Sequence, residues 1–76
     1  MKVEILSPDA HLFQGEAEMV TLPGVAGSFQ IKEKHAALIS SLQSGNISVH
    51  NGSEVLNFPI QGGLIEVIHN NVIILV

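Results

Sequence analysis

From Gly45 to the last residue, apolar and polar side chains take turns. Ile47 and Val49 are interleaved with Asn46, Ser48 and His50, then Leu56, Phe58 and Ile60 return, and Leu64 to Ile68 alternates again before the apolar run Val72 to Val76. A two-residue period places apolar side chains on one face of a strand. Turn chemistry separates the runs. Asn51-Gly52 is the strongest short-range hairpin signal, and Asn70-Asn71 reads as a second tight turn. Pro59 cannot donate to a ladder and so predicts an edge or a bulge, and Gln61-Gly62-Gly63 predicts another backbone irregularity. Many short strands with turn signals every several residues predict an all-β sandwich or barrel. It forms one domain over residues 1–76, without repeats, linkers or low-complexity segments.

The first half is less regular. Lys2 to Ser7 alternates, with Val3 and Ile5 on one side and Glu4 and Leu6 on the other, and Pro8-Asp9 supplies a turn. His11 to Leu22 reads as a longer strand region interrupted at Gly15 by a bulge or bend. Between Glu16 and Thr21 neither face is cleanly apolar, so the pattern assigns no buried side. Pro23-Gly24 predicts a turn and Gly27 a second bend, after which Phe29 and Ile31 alternate and Lys32-Glu33-Lys34 leads to His35. Two bends and a charged tip fit a projecting docking loop from Gly24 to His35, held by its flanking strands, and equally a plain surface connection. In His35 to Gln43, Leu38, Ile39 and Leu42 fit a helical stripe, while Ala36, Leu38, Ser40 and Leu42 fit a strand. The neighbouring strands favour the strand.

Composition narrows the functions. Charged residues make up 13% of the 76, about half of the ~25% usual in soluble proteins, and mean hydropathy is +0.41. So few charges imply apolar or neutral surface that a partner covers. The net charge is −4, and the three basic side chains are Lys2, Lys32 and Lys34. Nothing here tracks a phosphate backbone, and without arginine there is no bidentate phosphate clamp. The chain has no cysteine, hence no disulfide framework, which suits a reducing compartment. Met1 to Leu6 shows no signal-peptide pattern, and no apolar run approaches the ~20 residues of a membrane helix. The expectation is a soluble, cytoplasmic protein.

Catalytic patterns are missing. His11, His35, His50 and His69 form no His-x-His pair and have no carboxylate at a companion ligand offset, so no metal site is expected. His50 and His69 each precede a predicted turn and are expected at exposed strand ends; His35, at the end of the loop, stands out. The seven carboxylates are scattered. Gly24-Val25-Ala26-Gly27 superficially suggests a phosphate cradle, but it lacks P-loop spacing and a following helix. There is no Gly-x-Ser-x-Gly elbow and no thiol nucleophile. No enzyme activity, metal or cofactor is read from the residues.

Taken in order, the motifs resemble the N-terminal β-sandwich domain of the ε subunit of F-type ATP synthase. The matching residues are Val3-Glu4-Ile5-Leu6-Ser7-Pro8, Leu12-Phe13-Gln14-Gly15-Glu16-Ala17-Glu18, Val20-Thr21-Leu22-Pro23-Gly24, Gly27-Ser28-Phe29-Gln30-Ile31, His35-Ala36-Ala37-Leu38-Ile39, Gln61-Gly62-Gly63-Leu64-Ile65-Glu66-Val67 and Asn71-Val72-Ile73-Ile74-Leu75. The resemblance covers the whole chain. It implies a small β-sandwich of about ten short strands that acts as a non-catalytic central-stalk (rotor) subunit. The rotor couples the γ subunit to the c-ring during ATP synthesis, in a proton- or sodium-translocating complex. The implied partners are γ and the polar loops of the c-ring, with the α/β catalytic head reached indirectly, no nucleic acid and no direct membrane insertion. The implied place is peripheral, on the cytoplasmic face of the bacterial inner membrane.

Position by position, the resemblance turns the Gly24–His35 loop, with Ala26, Ser28 and Glu33, toward the c-ring. It sets His35, Ser7 and Ser40 near γ. Many members carry an acidic residue where Ala26 or Ser28 stands, and Pro-Gly where Glu33-Lys34 stands. Glu33 is therefore expected to take over part of the electrostatic ring contact. Many members also continue into a C-terminal helical pair that inhibits hydrolysis and in some binds ATP. This chain ends at Val76, so neither ATP binding nor arm-type inhibition is expected of it. Two other classes fit a small β fold. A carbohydrate-type ligand-binding module usually presents aromatic platforms, and here only Phe13, Phe29 and Phe58 are aromatic. A histidine-metal enzyme on a small barrel would need converging ligands.

Overall fold

The computed structural model describes all residues 1–76 and contains strands and turns but no helix. Seven strands follow in order: β1 (Lys2–Leu6), β2 (His11–Glu16), β3 (Met19–Gly24), β4 (Gly27–Lys32), β5 (Leu38–Asn51), β6 (Glu54–Ile68) and β7 (Asn71–Leu75). Hydrogen bonding links them into one sheet of order β2-β1-β7-β6-β5-β3-β4. All neighbours are antiparallel except β1 and β7, which run parallel, so the last strand lies beside the first. The all-β class agrees with the sequence. The strand number is seven rather than about ten, because β5 and β6 each run through what a count of short strands would divide.

That continuity folds the sheet over. In β5 the inward residues are Leu38, Ser40 and Leu42, then Ile47 and Val49, so their parity changes between Leu42 and Ile47. In β6 Phe58 and Ile60 face in, then Ile65 and Val67, with the same change across Gln61-Gly62-Gly63. Gln43 pairs with Gly62 and Gly45 with Ile60, so both changes fall at one place in the hairpin. There the sheet bends into two layers. The first holds β2, β1, β7 and the Leu64–Ile68 half of β6 against Leu38–Leu42. The second holds Glu54–Ile60, Gly45–Asn51, β3 and β4. The bend brings β6 against the end of β7, where a Cβ on Gly63 would collide with the Leu75 carbonyl oxygen, so only glycine fits.

Between the layers lies one core. Val3, Ile5, Ile65, Val67, Val72 and Ile74 from the first meet Val20, Leu22, Ile31, Ile47, Val49 and Ile60 from the second, each at most 6% exposed. β-Branched residues dominate it, which suits a pleated, half-buried surface. No polar side chain is buried, and no buried side-chain nitrogen or oxygen lacks a partner. Phe13 and Phe58 extend the core toward β2, with ring centroids 5.7 Å apart at 54°.

Several local expectations are corrected. The predicted break at Gly15 lies instead at Ala17-Glu18; Gly15 pairs with Val3 inside β2, where a side chain would press on the Phe13 ring. Pro23-Gly24 does not turn the chain. Both residues continue β3 opposite Ser28 and Gly27, and a single turn at Val25-Ala26 makes the hairpin. The pairing of β3 with β5 is interrupted between Thr21 and Gly24, so Pro23 sits where a missing N–H costs no ladder bond. The Asn51-Gly52 signal is one residue early: Asn51 pairs with Glu54 around Gly52-Ser53, with φ +64° at Gly52. Likewise Ile68 pairs with Asn71, and the turn is His69-Asn70, both left-handed at φ 49° and 61°. Pro59 meets its expectation, since the Glu54–Ile60 half of β6 has no neighbour beyond β5.

Candidate interaction surface

The two outer faces differ in chemistry. On the second layer one row across the strands reads Gln30, Thr21, Ser48, Asn57. Asn57 Oδ1 accepts hydrogen bonds from Asn46 Nδ2 at 2.8 Å and Ser48 Oγ at 2.7 Å. His50 joins this face half-buried, with Nε2 3.5 Å from Thr21 Oγ1. Here Asn46, Ser48 and Asn57 satisfy one another, and in the next row Val55, 46% exposed, lies beside His50.

The first layer is different. Its outer rows, read across β5, β6, β7 and β1, are Ser41, Leu64, Leu75, Leu6, then Ile39, Glu66, Ile73, Glu4, then Ile68, Asn71 and Lys2. Ile39 is 67% exposed, Leu75 48%, Ile68 45% and Leu64 39%, while Leu6 and Ile73 are half-buried. These six side chains adjoin one another, with Glu66 and Glu4 on either side of Ile73. A contiguous apolar sheet face of this kind marks an interaction surface. Sequence reading missed it because it needs the register. A signal was present: Val72 to Val76 is apolar at every position, the mark of a strand covered on both faces.

The expected docking loop is not one loop. Gly24–His35 is the edge strand β4 with a turn at each end, Val25-Ala26 and Glu33-Lys34. Six residues of strand separate the turns by roughly 20 Å. Ala26 and Ser28 belong to the first end, where Val25 N donates to Ser41 O at 3.3 Å. That end adjoins the Ser41–Leu64–Leu75–Leu6 row, and Ser7 follows Leu6 there. Ser7 Oγ caps its own turn, accepting from Ala10 N at 3.1 Å. Glu33 and His35 belong to the other end. Glu33 Oε1 accepts from the Met1 amine at 3.0 Å, and that amine also donates to Ala17 O at 2.9 Å. Lys34, at φ 63°, donates its N–H to Asn70 Oδ1 at 2.8 Å, which ties this turn to the β6–β7 turn. His35 is exposed, with Nδ1 2.7 Å from Ala36 O, and Ser40 sits half-buried within β5. Five of the six residues thus divide between two ends of the sandwich, and Ser40 faces inward within β5.

No three His, Asp or Glu side chains converge to hold a metal. His69 lies within a turn rather than before one. A cleft of about 200 Å³ opens between β2 and the β5–β6 hairpin, floored by Phe13, Val49 and Leu56.

Known proteins with this arrangement point one way. A family model described as the ATP synthase Delta/Epsilon chain beta-sandwich domain matches residues 1–76. The ATP synthase epsilon chain of Leptospira borgpetersenii is 36% identical over 75 residues, covering 99% of this chain and 59% of the relative. The epsilon chain 1 of Methylococcus capsulatus is 40% identical over 68 residues, 88% of this chain and 49% of the relative. The chain therefore spans about half to three-fifths of these relatives. Two solved assemblies share the fold. A chain of the Tetrahymena thermophila mitochondrial ATP synthase central stalk/c-ring superposes with a TM-score of 0.81 at 24% identity, over 97% of this chain and 60% of that one. One from the Euglena gracilis mitochondrial enzyme reaches 0.88 at 20% identity, over 96% and 48%. On these grounds the chain belongs to the ATP synthase Delta/Epsilon chain β-sandwich domain family.

Proposed function

We propose that this domain is a non-catalytic element of the rotor of an F-type ATP synthase, fixed to the γ subunit and resting on the c-ring. The observation that carries the reading is the apolar outer face of β5, β6, β7 and β1. Such a face is costly in water and gains stability when a partner covers it, at about 25 cal/mol per Å² of apolar area buried. Leu64, Leu75, Leu6, Ile73 and Ile39 accept an apolar stripe of γ, with Glu4 and Glu66 meeting its basic residues. The Val25-Ala26 turn, with Ser28, meets the polar loops of the ring. Glu33, expected at the ring from the resemblance, lies with His35 at the end of β4 opposite Val25-Ala26, and we assign both to the γ side. Torque passes through a sandwich whose layers share two continuous strands, β5 and β6, so the layers cannot slide without breaking that hairpin's ladder. The working location is the cytoplasmic face of a bacterial inner membrane.

Cysteine cross-linking in the assembled complex tests the placement. Leu75→Cys and Ile39→Cys are expected to join γ, and Ala26→Cys a c subunit. Cross-linking of Ala26→Cys to γ alone, with Leu75→Cys free to react with a bulky maleimide, would overturn the assignment.

A further inference from the structure

The β2 edge of the first layer, beside β1, is a second candidate surface. β2 ends the sheet, and its outward backbone groups follow from its pairing with β1. Met1 and Ala17 exchange both backbone bonds at 2.9 Å. Bonded and non-bonded pairs alternate in an antiparallel ladder. Val3/Gly15 is therefore a bonded pair, whereas Glu4/Gln14 and Lys2/Glu16 are not. Gln14 and Glu16 then direct their N–H and C=O groups away from the sheet.

Other edges are blunted. His50 O accepts from Glu18 N at 2.8 Å and so points away from β6, which makes Val55, Asn57 and Pro59 the outward residues of β6. Pro59 has no N–H to offer. The far edge strand, β4, ends in Lys32 and has no cleft beside it. The cleft lies between the β2 edge and the Glu54–Ile60 edge of β6, and of these two only β2 has no proline among its outward residues. The cleft holds about 200 Å³ over Phe13, Val49 and Leu56, and Gly15 keeps it open because a Cβ there would lie 3.0 Å from the Phe13 ring. Small-molecule pockets run at about 300–1,000 Å³, so this volume suits one leucine- or phenylalanine-sized side chain instead. Glu16 and Glu54 stand at the mouth.

We propose that the β2 edge takes up an extended peptide segment of another polypeptide, with one apolar residue in the cleft and lysine or arginine beside it. A residue opposite Gly15 points inward, and its neighbour lies across from Glu16, where opposite charges attract. Charge selects the occupant. A second copy of this chain would bring its own −4 and its own Glu16, whereas a basic segment complements Glu16 and Glu54. The site is independent of the rotor assignment.

The test is an amide chemical-shift titration of the chain with acetyl-Thr-Val-Lys-Leu-Lys-Val-Thr-amide. Shifts concentrated at Phe13 to Glu16, Val49 and Leu56 are expected. Gln14→Pro, which removes one outward N–H, lowers affinity about tenfold. The double variant Glu16→Gln/Glu54→Gln keeps the edge intact and lowers affinity about fivefold. The same peptide with glutamate for lysine does not bind, and Leu64→Lys/Leu75→Lys leaves uptake unchanged. Shifts on the Leu64–Leu75 face or at β4, no shifts at all, or dimerisation without peptide uptake would each overturn the proposal.

Discussion

Gly63 is the residue on which the fold-over turns. Its missing side chain leaves room for the Leu75 carbonyl where β6 crosses into the first layer. Gly62, one residue earlier, faces only ordinary contact, with the Leu42 oxygen 3.5 Å from a built Cβ. The two glycines look alike in sequence and differ in space. Gly63→Ala is therefore expected to cost at least about 2 kcal/mol through forced backbone movement, and Gly62→Ala under about 1 kcal/mol. Urea titration of both variants measures the difference; equal costs would refute the close-approach argument. Ile65 and Ile74, both fully buried, do their work by volume. Ile65→Ala is expected to cost about 2–5 kcal/mol.

At the scale of elements, the turns decide how the strands meet. His69-Asn70 requires two left-handed residues in succession, and Asn70 also accepts the Lys34 N–H from the β4–β5 turn. Asn70→Gly keeps the backbone conformation and loses only that acceptor, whereas Asn70→Ala loses both. The expectation is about 0.5–1 kcal/mol for Gly and about 1–2 kcal/mol for Ala, in that order, by thermal unfolding. This turn also shows what the residues conceal. Alternation in Ile47–Val49 and Leu64–Ile68 was legible, because each strand has one buried side. Asn-Gly and Asn-Asn marked the hairpins but not their frame, since Asn serves equally before a turn or within it and histidine takes φ > 0 too rarely to fix the frame. Gln61-Gly62-Gly63 marked the irregularity in β6, but the parity change it shares with β5 was not legible, because it depends on two strands bending together. The loop from Gly24 to His35 failed likewise, because Pro23-Gly24 reads as a turn unless the gap in the β3–β5 ladder is known.

For the whole molecule, the question is what covers the apolar face. A domain of this size buries about 60% of the surface it would expose unfolded, and here six apolar side chains of the first layer remain on the outside. Replacing two of them by lysine leaves the core untouched, so stability should change by no more than about 0.5 kcal/mol per site. Binding should change far more, because two charges would be buried without partners. The direct measurement is calorimetric titration of purified γ subunit with this chain and with Leu64→Lys/Leu75→Lys, after unfolding curves have confirmed that both are equally folded. Saturable one-to-one binding is expected of the parent chain and at least a hundredfold weaker binding of the variant, or about 2.7 kcal/mol. Equal binding by both would contradict it, and γ would then have to seat on another face.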